Sequence, residues 1–411
     1  MKNSKYYPWL VVALLWIVAL LNYMDRQMLA TMRPSMENDI PELVSGENFG
    51  RLMAVFLWIY ALMSPVSGII ADKLNRKWLI IGSLFVWSAV TYAMGYAKTY
   101  DEIYWLRAIM GVSEALYIPA GLSLIADYHQ QKTRSLAIGI HMTGLYVGSA
   151  LGGFGATIAA RYSWHSTFHH FGIIGVVYSI ILVFFLYEKK TKVFDPEFNK
   201  THAKAPLLKG LTLLFTNISF WVILFYFAII SLPGWATKNW LPTLFSDNLG
   251  ISMDQAGPLA TITISFSSLL GVVFGGILSD KWVQKNIKGR IYTSAIGLSL
   301  TIPALLLIGF GHSLFHVVGA VLCFGIGYGM FDANNMPIIC QFVSSKYRAT
   351  AYGILNMTGV GCGALVTSLL GKSADAGNLG YGFSLMAGIV LIALITQISF
   401  LRPKVNDFEG A

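Results

Sequence analysis

Apolar residues along the chain arrive in blocks of about twenty, separated by short polar and basic segments. Twelve such blocks stand out, near residues 9–31, 49–71, 78–97, 102–127, 134–160, 168–187, 219–245, 256–279, 291–310, 314–342, 349–371 and 381–401. Twenty apolar residues are what a helix needs to cross a bilayer. The pattern predicts an all-α integral membrane protein of twelve transmembrane helices, here spans 1 to 12. Nothing outside the blocks is long enough to make a soluble domain.

Composition sharpens this: of 411 residues 55% are hydrophobic and 12% charged, against roughly a quarter charged in soluble domains. The net charge of +9 raises the question of a nucleic-acid partner, and the placement of the basic residues answers it. With the N-terminus inside, 21 Lys and Arg fall in inward segments and 5 in outward ones, with Arg26, Arg107 and Lys238 inside spans. That bias is the positive-inside signal; it predicts cytoplasmic termini and leaves no basis for nucleic-acid binding. The first block runs on past any small-residue cleavage site, so no removed signal peptide is expected. Cys323, Cys340 and Cys362 lack metal-ligand spacing and read as packing residues.

Two signatures recur at nearly one offset. Gly68-Ile-Ile-Ala-Asp72-Lys73 closes span 2 and Gly276-Ile-Leu-Ser-Asp280-Lys281 closes span 8; Arg134-Ser-Leu-Ala-Ile-Gly139 opens span 5 and Arg348-Ala-Thr-Ala-Tyr-Gly353 opens span 11. The chain therefore divides into two pseudo-symmetric six-helix halves, 1–187 and 216–411, joined by a basic cytoplasmic linker at 188–215. The stretch from Glu188 to Gly210 holds six lysines, Pro196 and Pro206 and no sustained apolar period. Halves of this kind around a midplane site are a common plan for secondary transporters.

These residues resemble the major facilitator superfamily. Gly68, Asp72, Lys73, Arg76 and Lys77 are similar to its loop signature after span 2, with Asn75 where glycine is more usual. Asn22-Tyr23-Met24-Asp25-Arg26, Arg107-xxx-Gly111-xx-Glu114-Ala115-xxx-Pro119 and Trp240-Leu-Pro-Thr243 together resemble the anion:cation symporter family. The resemblance covers the whole chain and implies a proton-coupled importer of organic anions such as hexuronates and galactonate. Spinster-type lipid transporters share a similar pattern in spans 1 and 4. A carrier of lysolipids or of neutral or amino sugars is the alternative.

Charged groups at the bilayer centre cost at least about 2.5–3.5 kcal/mol and mark function by default. Here they are Asp25, Arg26, Arg107, Glu114, Lys238 and Asp332. Arg107 and Glu114 lie two helical turns apart on one face of span 4, about 10 Å along the axis. Asp25 and Arg107 fall at one depth, so an ion pair between them is expected, and Glu114, deepest among apolar neighbours, is the expected proton carrier. Protonation of Asp25 would then free Arg26 or Arg107 for a substrate carboxylate. The competing expectation is that Asp25 and Arg26 merely neutralise each other for insertion. Lys238 either adds positive potential to the site or snorkels to the interface. Asp332, beside Asn334 and Asn335, is a second protonatable group or a packing acid.

Extending the repeat makes His141 and Asn356 equivalent, one per half, and a candidate pair for sugar hydroxyls. The symporter resemblance implies an amide on span 5, from which His141 departs. Tyr23 and other aromatic residues in spans suit a sugar ring, though many aromatics serve as interface belts. Gly144-xxx-Gly148-xxx-Gly152-Gly153 on span 5 permits close helix packing. His165, His169 and His170 have an i, i+4 element but no further ligand, so no metal is expected. Gly68, Asp72, Lys73, Arg76, Asp280 and Lys281 are expected to make state-dependent contacts at the cytoplasmic side.

No motif for an enzyme and no cofactor-binding fingerprint is present. The sequence thus predicts a monomeric, multi-pass inner-membrane carrier. Its expected partners are an anionic small molecule, protons and membrane lipids.

Overall fold

The computed structural model describes residues 6–129, 131–188, 207–344 and 347–405. Among these, twelve spans are long and apolar enough to cross a membrane: Tyr7–Met36, Gly46–Ala71, Arg76–Met94, Tyr100–Tyr128, Leu136–Arg161, Trp164–Phe185, Ile218–Leu249, Met253–Val283, Gly289–Phe310, Leu314–Phe342, Thr350–Asp375 and Leu379–Phe400. They match the twelve apolar blocks in order. Large apolar side chains such as Phe184, Phe266 and Ile392 stand exposed on the outside, as expected where the neighbour is a lipid tail.

Helix starts are written locally. Thr99 and Glu102 form a reciprocal capping box at span 4. Asn75, the departure from the loop signature, accepts from the Trp78 amide at 3.2 Å and so caps span 3.

Spans 4 and 10 are each broken. Span 4 consists of Tyr100–Ala115 and Tyr117–Tyr128, and span 10 of Leu314–Asp332 and Asn335–Phe342. The cause is proline: Pro119 and Pro337 have no N–H to offer the carbonyls of Ala115 and Ala333, four residues earlier. Both breaks fall beside an intramembrane acid.

Within the first six spans, 1 packs on 5, 3 on 6 and 4, and 2 on 4; within the last six, 8 packs on 10, 9 on 10 and 12, and 7 on 11 and 12. The groups meet where span 2 lies along 11 and span 5 along 8. Of the linker, residues 189–206 lie outside the described residues. Leu207–Thr216 forms a helix, which differs from the irregular linker expected up to residue 215. Its apolar run begins at Leu207, and Leu214 is buried while Leu213 is exposed. No disulfide joins the three cysteines; Cys323 is exposed and Cys340 and Cys362 are half-buried, so Cys323 differs from the packing role expected of it.

The end of the bundle away from the two termini, the far end, is closed between the groups. Gly46 and Gly371 meet backbone to backbone, as do Gly153 and Gly257, and a Cβ on any of them would strike the opposite chain. Asp375 at the end of span 11 accepts from the amides of Gly46 and Glu47, at 2.5 and 2.9 Å, and from the Ser45 hydroxyl at 3.0 Å. A carboxylate of one group thus caps the first turn of a helix in the other. Lys372 to Glu47 at 3.5 Å and Thr157 donating to the Asp254 carbonyl at 2.9 Å extend the seam.

Candidate functional site

The glycines of span 5 set the position of span 1. A Cβ on Gly144, Gly148 or Gly152 would run into the backbone carbonyls of Trp16, Leu20 and Met24 respectively. Span 1 is therefore held tight against span 5, and its polar residues turn toward spans 3, 4 and 7.

Arg26 is the centre of the arrangement. Its Nε donates to Glu114 Oε2 of span 4 at 2.6 Å, with the glutamate side chain fully buried and the arginine side chain 10% exposed. The guanidinium lies over the rings of Tyr23, Phe56 and Tyr60, at 4.9, 4.8 and 4.7 Å from their centroids. Its Nη2 and the Oε1 of Glu114 have no hydrogen-bond partner. Removing one member of a buried pair costs about 3–5 kcal/mol, because the other charge is left uncompensated.

The expected Asp25–Arg107 pair does not form. Among the described residues neither has an opposite charge within 4.0 Å. Asp25 is buried and faces span 3, where the Thr91 hydroxyl lies 3.3 Å from its Oδ2 and 3.0 Å from the Trp87 carbonyl. Successive helix residues point about 100° apart, so Asp25 and Arg26 serve different neighbours. They also do not merely neutralise each other: Arg26 is taken by Glu114. Arg107 sits behind Phe56, 4.6 Å from its ring, and donates to Met110 Sδ at 3.2 Å. Phe56 thus stands between two guanidinium groups.

The second half contributes Lys238 and Asp332. Lys238 Nζ lies over Trp235 at 4.7 Å and over Tyr23 of span 1 at 5.7 Å, and its carbonyl accepts from Gln27 at 2.8 Å. This is an interior position between the groups, and the snorkelling alternative falls away. Asp332 is exposed, accepts from Asn335 at 3.1 Å and lies 3.5 Å from the Tyr146 hydroxyl of span 5. An exposed carboxylate reached from the opposite half faces the space between them.

His141 and Asn356 are not a matched pair. His141 is buried inside the first half, edge-on to Tyr117 at 6.0 Å, with both ring nitrogens unpartnered. Asn356 donates across the interface to Ser64 of span 2 at 2.9 Å.

Of the loop signature, Gly68 faces open space, the Asp72 and Lys73 side chains lie outside the described residues, and Arg76 pairs with Asp127 of its own half. Asp280 and Lys281 are exposed, and among the described residues no ion pair or side-chain hydrogen bond joins either to another span. His165 stacks on Trp164 and lies 3.8 Å from Asp39.

Sequence reasoning missed Phe56, Tyr60 and Thr91, which carry no charge and no motif. It also passed over Asn22, buried one turn before Arg26 with both amide atoms unpartnered. A wholly unsatisfied amide beside an ion pair is costly unless something polar visits it.

The chain is 24% identical to the hexuronate transporter of Bacillus subtilis (strain 168) over 418 residues, 97% of this chain and 96% of that one. It is 25% identical to the D-galactonate transporter of Escherichia coli O6:H1 over 419 residues, 96% and 94% of the two chains. A bacterial homologue of the human lysosomal transporter Spinster, solved inward-facing and unoccupied, superposes with a TM-score of 0.81 at 19% identity, covering 100% of both chains. That likeness shows the shared fold. The profile of the Major Facilitator Superfamily matches residues 15–367 and 241–407, and the chain belongs to that family.

Proposed function

We propose that this multi-pass membrane protein imports a sugar acid, such as a hexuronate or aldonate, together with a proton by alternating access. The observation that carries this is the Arg26–Glu114 pair, with Arg26 Nη2 buried and without a hydrogen-bond partner among the rings of Tyr23, Phe56 and Tyr60. The similarity to the hexuronate and D-galactonate transporters supports the substrate class. A guanidinium presents a fork that matches a carboxylate, and a buried one binds it without competition from water.

Substrate carboxylate and Glu114 compete for the same cation. A proton on Glu114 removes its charge and releases Arg26, so a proton and an anion enter as one event. This reassigns to Glu114 the step that spacing alone gave to Asp25. Asp25, set against Thr91, is the second acid of the site and takes no direct part in holding Arg26. Arg107 keeps the buried charge balanced from behind Phe56. The basic residues clustered on the side of the termini support a cytoplasmic location for both ends, in an inner membrane. A lysophospholipid would also bring an anion to Arg26, through its phosphate; the similarity to the hexuronate and D-galactonate transporters favours the sugar acid.

The test uses purified protein in liposomes with glucuronate and galactonate as probes. Glu114→Gln is expected to abolish uphill, proton-driven uptake while exchange of labelled for unlabelled acid continues. Arg26→Gln is expected to abolish both. Uphill uptake that survives in Glu114→Gln would remove Glu114 from the coupling step.

A further inference from the structure

The two halves repeat more than their end signatures. Tyr23-Met-Asp-Arg26 in span 1 and Trp235-Ala-Thr-Lys238 in span 7 each place an aromatic ring three residues before a cation. In both, the cation lies over that ring, at 4.9 and 4.7 Å. Glu114-Ala-Leu-Tyr-Ile-Pro119 in span 4 and Asp332-Ala-Asn-Asn-Met-Pro337 in span 10 each place an acid five residues before the proline that breaks the helix. The offsets are 212 and 218, in line with the 208 and 214 of the end signatures. Lys238 and Asp332 are therefore the second-half counterparts of Arg26 and Glu114.

The counterparts differ in one respect. Arg26 and Glu114 touch at 2.6 Å and are buried. Lys238 and Asp332 make no ion pair, standing beyond 4.0 Å of each other, and Asp332 is exposed, with the Tyr146 hydroxyl of the opposite half 3.5 Å from it. One pair is closed and the other is open.

We propose that the open Lys238–Asp332 pair is a second pole of the substrate site, which takes the hydroxyl groups at the end of a sugar acid remote from its carboxylate. This rests on the sugar-acid reading above. A hydroxyl donates one hydrogen bond and accepts others, so it fits between a carboxylate and an ammonium too far apart to meet directly. Neighbouring hydroxyls satisfy the two together, with the Tyr146 hydroxyl 3.5 Å from the same carboxylate. A second carboxylate at that end would face Asp332, and an ammonium would face Lys238. The pole therefore selects sugar acids with one carboxylate over those with a carboxylate at each end.

Binding of galactonate and of galactarate to the purified full chain by titration calorimetry decides this. Wild type is expected to bind galactonate more tightly. Asp332→Asn is expected to weaken galactonate by about tenfold or more, the worth of a hydrogen bond to a charged group, while galactarate is unchanged or tightened. Asp332→Glu should keep the wild-type order. Asp332→Ser gives a second route to the same ratio should Asp332→Asn fail to fold, and is expected to lower the preference for galactonate.

An unchanged ratio in the variants that remove the Asp332 charge, or a wild type that favours galactarate, overturns the proposal. Galactonate binding that is lost in Arg26→Gln yet indifferent to Asp332→Asn removes the second pole and leaves the sugar-acid reading standing. Folded wild type that binds neither acid removes both.

Discussion

Spans 2, 5, 8 and 11 look different at their two ends. At the far end Gly46, Gly371, Gly153 and Gly257 are pressed backbone to backbone across the halves. Toward the termini the glycines of the repeated signatures, Gly68, Gly139, Gly276 and Gly353, have nothing within 4 Å of where a Cβ would stand. Small residues earn their place in a membrane bundle by allowing close approach. Those at the far end are in use and those toward the termini are not. The same four helices are equipped to meet at either end, and this form uses one.

The sharpest way to break the contrast is to fill one end at a time. Gly371→Leu puts a side chain into the Gly46 backbone, and overpacking of this kind costs about 1–3 kcal/mol, roughly 5- to 150-fold against the closed far end. In a variant without the native cysteines, Thr367→Cys, fully buried in this form, should then be labelled from outside faster by that factor. Gly353→Leu meets no neighbour, so labelling of the far end should not rise and thermal stability should hold. Uptake should nonetheless fall if that glycine closes against a partner during transport. Equal behaviour of the two variants would erase the distinction between the ends.

A smaller effect should come from Asp375→Asn, which keeps the shape of the cap across the seam and removes its charge. Because Asp375 is exposed, the loss is about 1 kcal/mol, and labelling of the same cysteine should rise about fivefold. No change would mean the Gly46–Gly371 approach holds the far end by itself.

The spans were legible because a bilayer demands some twenty apolar residues at a time, and the close packing of span 5 on span 1 was legible in its glycine spacing. Which charges would meet was not. Depth put Asp25 level with Arg107, but depth ignores direction, and Asp25 points to span 3 while Arg26 points to Glu114. The extra methylene of Glu114 and the length of Arg26 close a gap that residue levels overstate. His141 and Asn356 were equivalent by repeat, yet one is enclosed in its half beside Tyr117 and the other reaches across to Ser64 of span 2. The acid five residues before proline, present in spans 4 and 10, was readable in the sequence and would have joined Asp332 to Glu114.

Asp25, Arg26, Arg107 and Glu114 amount to two positive and two negative charges enclosed in one half. Such a set sums to zero when all four are ionised, so it experiences no net pull from a membrane voltage. Under the coupling proposed above, in which Glu114 takes a proton as Arg26 takes a monoanion, the sum is still zero. The loaded carrier then crosses without moving charge, and the potential, worth about 2.3 kcal/mol per charge per 100 mV, neither drives nor opposes it. On that proposal the force on the substrate, beyond its own gradient, is the proton concentration difference, and any current that accompanied uptake would have to come from a second proton, with Asp25 the acid placed to carry it.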